Sequence, residues 1–239
     1  MFRRVLIALA AVAGIALATS LGFWQWGRGQ QRTALQEAVA AREHGAPVTV
    51  SQLLAAPDGD PALVHRPIAL RGQWIAERTI FLDNRQMNAV PGFYVVTPLR
   101  IDGSSAVILV QRGWAPRNFV KREALPAVAT PAGTVEVRGR LAPPPAKLYA
   151  FDAEEPGAIR QNLDLGRFRA ETGLPLLALS VQQTGAASEG LLRQWPQAGS
   201  GAEKNYGYAF QWWAIAATIA ILYVWFQFLL PRRRQARGL

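Results

Sequence analysis

The sequence predicts an α+β membrane protein, with two transmembrane helices flanking a mainly antiparallel β extracytoplasmic domain, a small barrel or sandwich. Three observations predict it. No charge lies between Arg4 and Arg28, and none between Lys204 and Arg232. Each of these runs exceeds the ~20 apolar residues that a helix needs to cross ~30 Å of hydrocarbon. Between them, apolar residues recur with a period of two in short segments bounded by turn residues, which is the mark of strands.

Residues 1–4 form a basic start, and residues 5–26 form the first span. Ala16-Leu17-Ala18 fits the small-x-small pattern of a cleavable signal peptide. The apolar run nevertheless continues through Leu21, Phe23, Trp24 and Trp26, so a retained anchor is the favoured reading. Arg28 to Arg42 reads as helix. Trp24, Arg28 and Arg32 fall four residues apart and share one face of it. That face reads either as snorkelling, solvated arginines or as a basic-aromatic surface for an anionic ligand or partner.

Residues 27–204 form the β domain. Gly45 to Pro61 is turn-rich. Ile68 to Trp74 alternates as a strand, and Thr79 to Leu82 is a second, stopped by Asp83-Asn84-Arg85. Gly92 to Ile101 is a third, in which Pro98 implies an edge or a bulge because it donates no ladder bond. Ala106 to Val110 pairs back as a hairpin and closes with Gln111-Arg112-Gly113-Trp114-Ala115-Pro116. Gly133 to Leu141 is another strand. Its Val137-Arg138-Gly139 echoes Leu70-Arg71-Gly72, and each glycine marks a strand bend of the kind barrels use. Asp164 caps a short helix ending at Gly173, Leu176 to Gln183 is the last strand, and Gly185 to Gly201 is a linker. Residues 205–230 form the second span, entered through Tyr206, Tyr208, Gln211, Trp212 and Trp213. Residues 231–239 form a basic tail. Clustered arginines mark the cytoplasmic side, so both termini are expected in the cytoplasm and residues 27–204 outside it.

The 239-residue chain has a net charge of +10, no cysteine, two histidines and two methionines. Disulfides and thiolate sites are excluded, and a copper or zinc carrier lacks the clustered ligands it needs. Arg3, Arg4, Arg232, Arg233, Arg234 and Arg237 account for six of the ten charges and flank the spans, so the charge reads as topology rather than nucleic-acid binding. His44 and His65 have no serine elbow or aspartate nearby and read as structural. Asp152, Glu154 and Glu155 lie in a Pro/Gly-bounded loop and read as a solvated acidic turn rather than an acid-base pair. Neither a phosphate-cradling loop nor a metal-spaced cluster appears. An extracytoplasmic hydrolase requires His65 to meet a nucleophile and an acid.

Tryptophan distribution is the more informative signal. Trp24 and Trp26 end the first span, and Trp212 and Trp213 begin the second. They read either as an aromatic belt or as the wall of a cleft for a flat apolar ligand with anionic tails, with Arg28 or Arg32 as counter-charge.

At these residues the sequence resembles the Surfeit locus protein 1 family of cytochrome oxidase assembly factors. Leu21-Gly22-Phe23-Trp24-Gln25-Trp26-Gly27-Arg28 is similar to that family's Leu-Gly-x-Trp-Gln-x-x-Arg signature. Asp83-Asn84-Arg85, Pro91-Gly92-Phe93-Tyr94, Thr97-Pro98-Leu99, Arg112-Gly113-Trp114-Ala115-Pro116, Arg193-Gln194-Trp195-Pro196 and Gly207 to Trp212 resemble the rest, in order.

The resemblance implies a non-enzymatic assembly factor of the bacterial inner membrane, with its main domain periplasmic. It would act on the haem-bearing subunit of a haem-copper terminal oxidase and assist delivery or insertion of haem a. The alternative is a cofactor-free scaffold that holds an oxidase subunit or another complex. A transient haem a is the implied cofactor, with Trp24, Arg28, Tyr206, Gln211 and Trp212 as its candidate pocket and no metal-ion site. The implied partners are that oxidase subunit and the lipid bilayer, with haem a synthase as a further candidate and nucleic acid excluded. The short N-terminus, without an Arg/Ser-rich presequence, points to a bacterial rather than a mitochondrial membrane. One position departs from the family. Its Lys-His-x-Gly-Tyr-Ala pattern, whose histidine is the proposed iron ligand, reads here Lys204-Asn205-Tyr206-Gly207-Tyr208-Ala209. Tyr206 and His65 are the remaining candidates for such a ligand.

Overall fold

The computed structural model describes residues 2–236 other than 119, 122, 123, 149–156, 198 and 200. The acidic turn Asp152, Glu154 and Glu155 lies outside the described residues. The chain divides into two compact units, Met1–Ala38 with Gln197–Leu239, and Val39–Pro196.

The first unit is a helix pair. Helix α1 (Phe2–Glu43) is continuous, so the apolar span and the amphipathic stretch after Arg28 form one helix. Neither contains a proline, and glycine alone weakens a helix without ending it. In the second unit, α2 (Val50–Leu54) is one turn held by a capping box, in which Gln52 N donates to Thr49 and Thr49 N to the Gln52 side chain.

The strands of the second unit are β1 (Pro67–Trp74), β2 (Ile80–Met87), β3 (Val90–Ile101), β4 (Val107–Pro116), β5 (Thr134–Ala142), β6 (Ile159–Arg160) and, after α3 (Leu165–Thr172), β7 (Leu176–Gln183). They form one mixed sheet in the order β1-β5-β7-β4-β3-β2-β6, with a further pairing of β1 to β3. That extra pairing closes five strands into a ring, so the alternatives of barrel and sandwich resolve to a barrel. Four contacts of the ring are antiparallel, and β4 with β7 is parallel. Numbered along the chain, the ring runs first-second-third-fifth-fourth and returns to the first. This is the arrangement of an OB-type Greek-key barrel, a topology that brings no ligand with it.

Closure depends on β1 serving two partners. It pairs with β5 from Pro67 to Gln73 and with β3 from Gly72 to Trp74. A Cβ on Gly72 would lie 2.2 Å from Arg100 O, and one on Gly139 would lie 2.3 Å from Gln182 O. Both glycines of the echoed motif therefore permit close backbone approach between strands. Pro98 sits where β3 exchanges one partner for another, after Val96 opposite Ile80 and before Leu99 opposite Trp74. Its carbonyl accepts from Ile75 N on that side, so the missing N–H costs no ladder bond.

Two expectations need correction. The second strand does not stop at Asp83-Asn84-Arg85. Asn84 takes φ 58°, a bulge absorbs it between Leu82 and Arg85, and β2 continues to Met87. The stretch from Gly185 is not a free linker, because Leu191 and Trp195 are buried and Leu192 bridges Trp114 on β4. Strand β6, two residues long, has no periodicity to read.

Apolar faces of the ring meet in one cluster that includes Leu70, Leu99, Ile101, Ile108, Val137 and Val181. A second cluster packs Val96, Val107 and Leu109 under Phe168 of α3. Asp164 caps α3 by accepting from Arg167 N, and Gly173 ends it at φ 68°.

In the first unit, α4 (Ala202–Val224) passes through a π-helical turn at Trp225–Leu229 into α5 (Leu230–Ala236). Pro231 would clash with the carbonyl four residues back in a regular helix. The wider turn, in which Leu230 N donates to Trp225 O, relieves that crowding.

Candidate functional site on the helix pair

Small residues set the contact between α1 and α4. Gly14, Ala18 and Gly22 recur every four residues on α1, and Ala18, Gly22 and Gly29 are buried. Buried Ala202, Ala209 and Ala216 recur every seven on α4. Small residues on membrane helices leave room for a neighbour's side chains, and van der Waals packing of this kind supplies association energy without a hydrophobic drive.

Large side chains fill the notches. A Cβ on Gly22 would lie 2.2 Å from Trp213 Nε1, and one on Gly29 would lie 2.6 Å from the Tyr206 ring. Trp213 also meets Phe23 edge-on at 5.4 Å between centroids and Trp26 at 5.9 Å, while Trp26 and Tyr206 lie 4.8 Å apart. Polar groups thread this aromatic seam. Asn205 Nδ2 donates to Gln25 Oε1 at 2.7 Å, and the hydroxyls of Tyr206 and Thr33 are 3.1 Å apart. Thr33 donates its one proton to Gly29 O, so Tyr206 is the donor in the pair. Arg32 donates to Gly201 O at the start of α4. Asn205 Oδ1 and Trp213 Nε1 are buried without a hydrogen-bond partner.

Of the residues predicted for a pocket, only Arg28 and Trp24 are joined by a hydrogen bond, ion pair or ring contact among the described residues. Arg28 lies 5.9 Å over the Trp24 ring, and Trp24 is 59% exposed. Tyr206 lies inside the seam. Gln211 is exposed and Trp212 half-buried, and no ring contact joins Trp24 to Trp212 among the described residues. The sequence reading placed Trp26 and Trp213 in the aromatic wall at the helix ends but missed Gln25 and the contacts that all three make across the seam. The four- and seven-residue spacing of glycine and alanine was the signal for them.

His65 lies elsewhere, just before β1, with φ 71° and its N–H donated to Leu141 O. Burial and the neighbouring Arg140 push its pKa below the ordinary 6.5, Arg42 adds to this, and Glu43 opposes it. The charged groups around it are two arginines and the glutamate that pairs with Arg140.

Axial ligation of a haem iron is the chemistry the family resemblance attaches to the start of α4. The residues present do not fit it. An amide is not among the usual iron ligands, and the Asn205 amide nitrogen is committed to Gln25. The Tyr206 hydroxyl is committed to Thr33, and its ring is wedged against Gly29.

No curated protein matches the chain significantly. The model of the SURF1 family matches residues 12–217. That match takes in the α1–α4 seam and the whole barrel, and the chain belongs to the SURF1 family.

Proposed function

We propose, since the SURF1 family is one of cytochrome c oxidase assembly factors, that this chain is a non-enzymatic assembly factor for a haem-copper terminal oxidase, anchored in a bacterial inner membrane with both termini cytoplasmic and its barrel in the periplasm. Its partner is the oxidase subunit that bears the haem, and its task is to help that subunit receive haem a. The family match over residues 12–217 carries this reading. The arginines at both chain ends support the orientation. Deletion of the gene should abolish terminal oxidase activity while the oxidase subunits are still made. Unchanged activity would overturn the reading.

One observation favours a second reading, a cofactor-free scaffold holding the oxidase subunit. The position of the family histidine is Asn205, and its side chain is used within the helix pair to bond Gln25. Co-purification of the oxidase subunit with a colourless protein supports the scaffold; stoichiometric haem a in the purified protein opposes it.

A further inference from the structure

Among the described residues of the barrel unit three arginines are buried: Arg85, Arg112 and Arg160, at 6%, 0% and 7% exposure. Arg112 pairs with Glu189 at 2.9 Å and Arg160 with Glu171 at 2.6 Å. The half-buried Arg117, Arg140 and Arg193 also pair with carboxylates. Arg85 alone of the three buried arginines meets no carboxylate among the described residues. It is as desolvated as Arg160, and burying a charge without a counter-charge is strongly unfavourable.

Its surroundings are those of a receptor rather than a neutraliser. Asn84, in the left-handed conformation within the β2 bulge, precedes it. One Arg85 nitrogen donates to Gln161 O at 3.1 Å, and the guanidinium lies 5.8 Å over the Tyr94 ring. Nε is buried and has no partner. The Tyr94 hydroxyl likewise makes no hydrogen bond among the described residues, and burial pushes its pKa upward, with Arg85 opposing, so it stays a proton donor. Trp195 stands edge-on to Tyr94 at 5.1 Å. Trp114, opposite Tyr94 on β4, fixes the Arg85 backbone by donating its indole N–H to Arg85 O at 2.9 Å.

We propose that Arg85 and Tyr94 form a carboxylate-binding site on the β2–β3 face of the barrel, in which an organic acid supplies the counter-charge that no described residue supplies. The planar guanidinium presents its unused N–H groups to the carboxylate, the arrangement in which arginine binds such groups best. The Tyr94 hydroxyl adds a second donor, and the Tyr94 and Trp195 rings, set edge-on to each other, give the acid's apolar part an aromatic corner. This site is independent of the helix seam and of the oxidase reading.

The test uses the full-length protein in detergent. Melting temperature and titration calorimetry are recorded against sodium benzoate, against a capped tripeptide with one glutamate, and against sodium chloride at matched ionic strength. A ligand that binds only the folded protein raises its melting temperature. Wild type should show saturable binding and a rise of a few degrees with a carboxylate and none with chloride. A response confined to benzoate identifies a free organic acid as the ligand, and one to the glutamate peptide identifies an acidic side chain of a partner. Arg85→Met should lose the response, and Tyr94→Phe should weaken it roughly ten- to a hundredfold, as loss of one hydrogen bond to a charged group does. Should Arg85→Met not fold, Arg85→Lys keeps the charge without the fork and should weaken binding. Equal effects of chloride and carboxylate, or a response unchanged by the Arg85 and Tyr94 substitutions, would overturn the proposal.

Discussion

Asn205 Nδ2 donates to Gln25 Oε1 at 2.7 Å, joining the first turn of α4 to α1. A polar pair between membrane helices contributes about 0.6–2 kcal/mol to their association. Asn205 therefore holds the helices together at the position where the family has an imidazole. Its second amide atom, Oδ1, is buried without a partner.

From this arrangement, wild-type protein purified from a host that makes haem a should be colourless. Asn205→His restores an imidazole and should give the absorption of bound haem a in oxidised and reduced spectra. Tyr206→Phe should leave the wild-type spectrum unchanged, because its hydroxyl is bonded to Thr33. A coloured wild type bleached by Tyr206→Phe would instead name the phenol as ligand.

Gly22 and Gly27 lie on one helix and should respond oppositely to alanine. A Cβ on Gly22 meets Trp213 Nε1 at 2.2 Å, whereas one on Gly27 meets nothing within 4 Å. Gly22→Ala should destabilise by about 1–3 kcal/mol through overpacking and shift tryptophan emission as Trp213 moves. Gly27→Ala should stabilise by up to ~1 kcal/mol through helix propensity. Equal melting temperatures for the two variants in detergent would contradict the seam as described.

Much of this architecture was legible because its signals are local. Asp164 and Gly173 bracket α3 through backbone chemistry that any Asp and Gly in those places provide. The uncharged runs followed from hydrophobicity alone. The course of β2 was not legible, since Asp83-Asn84-Arg85 reads as a turn, and only pairing with β3 carries the strand through Asn84 in a bulge. Ring closure was equally hidden, because it depends on Gly72 lying against Arg100 O, a residue 28 positions away in the chain. At the helix pair, the aromatic residues drew attention to Trp24 and Trp212. The contact is instead organised by glycines and alanines, whose effect lies in what their partners can approach.

His65 gives the barrel a pH dependence of definite sign. Its folded pKa lies below 6.5 because of burial and Arg140, with Arg42 adding and Glu43 opposing. Between the folded and unfolded values the unfolded chain binds more protons, so stability is complete above 6.5 and is lost as pH falls through the folded value. Glu171 is held below its ordinary 4.5 by the Arg160 hydrogen bond, and Asp164 below 3.8 by Lys147. Their contributions are lost only at lower pH. Melting temperature should therefore drop between pH 7.5 and 5.5. His65→Asn, which tolerates the positive φ, should flatten that drop, and an unaltered slope in the variant would show that another group is responsible.

Glu189 should be the most sensitive position in the segment that leads to α4. Its carboxylate reaches Arg112 at 2.9 Å and Arg193 at 3.5 Å. Arg112 is fully buried, lies 4.7 Å over Trp74, and donates to Thr130 Oγ1 and Ala129 O. Arg193 Nε in turn donates to Arg112 O. Removing one member of a buried pair leaves a desolvated charge uncompensated, which costs about 3–5 kcal/mol, whereas replacing both with apolar groups is often neutral. Glu189→Ala should therefore lower stability by roughly 3 kcal/mol, Glu189's partial exposure placing it at the low end of that range. Arg112→Met combined with Glu189→Ala should recover much of the loss, giving a non-additive double-mutant cycle. Denaturation of the three variants in detergent measures this coupling. Additive losses would mean that the backbone bonds between Leu192 and Trp114 and the bond from Arg193 Nε to Arg112 O, rather than the ion pair, hold this segment to the barrel.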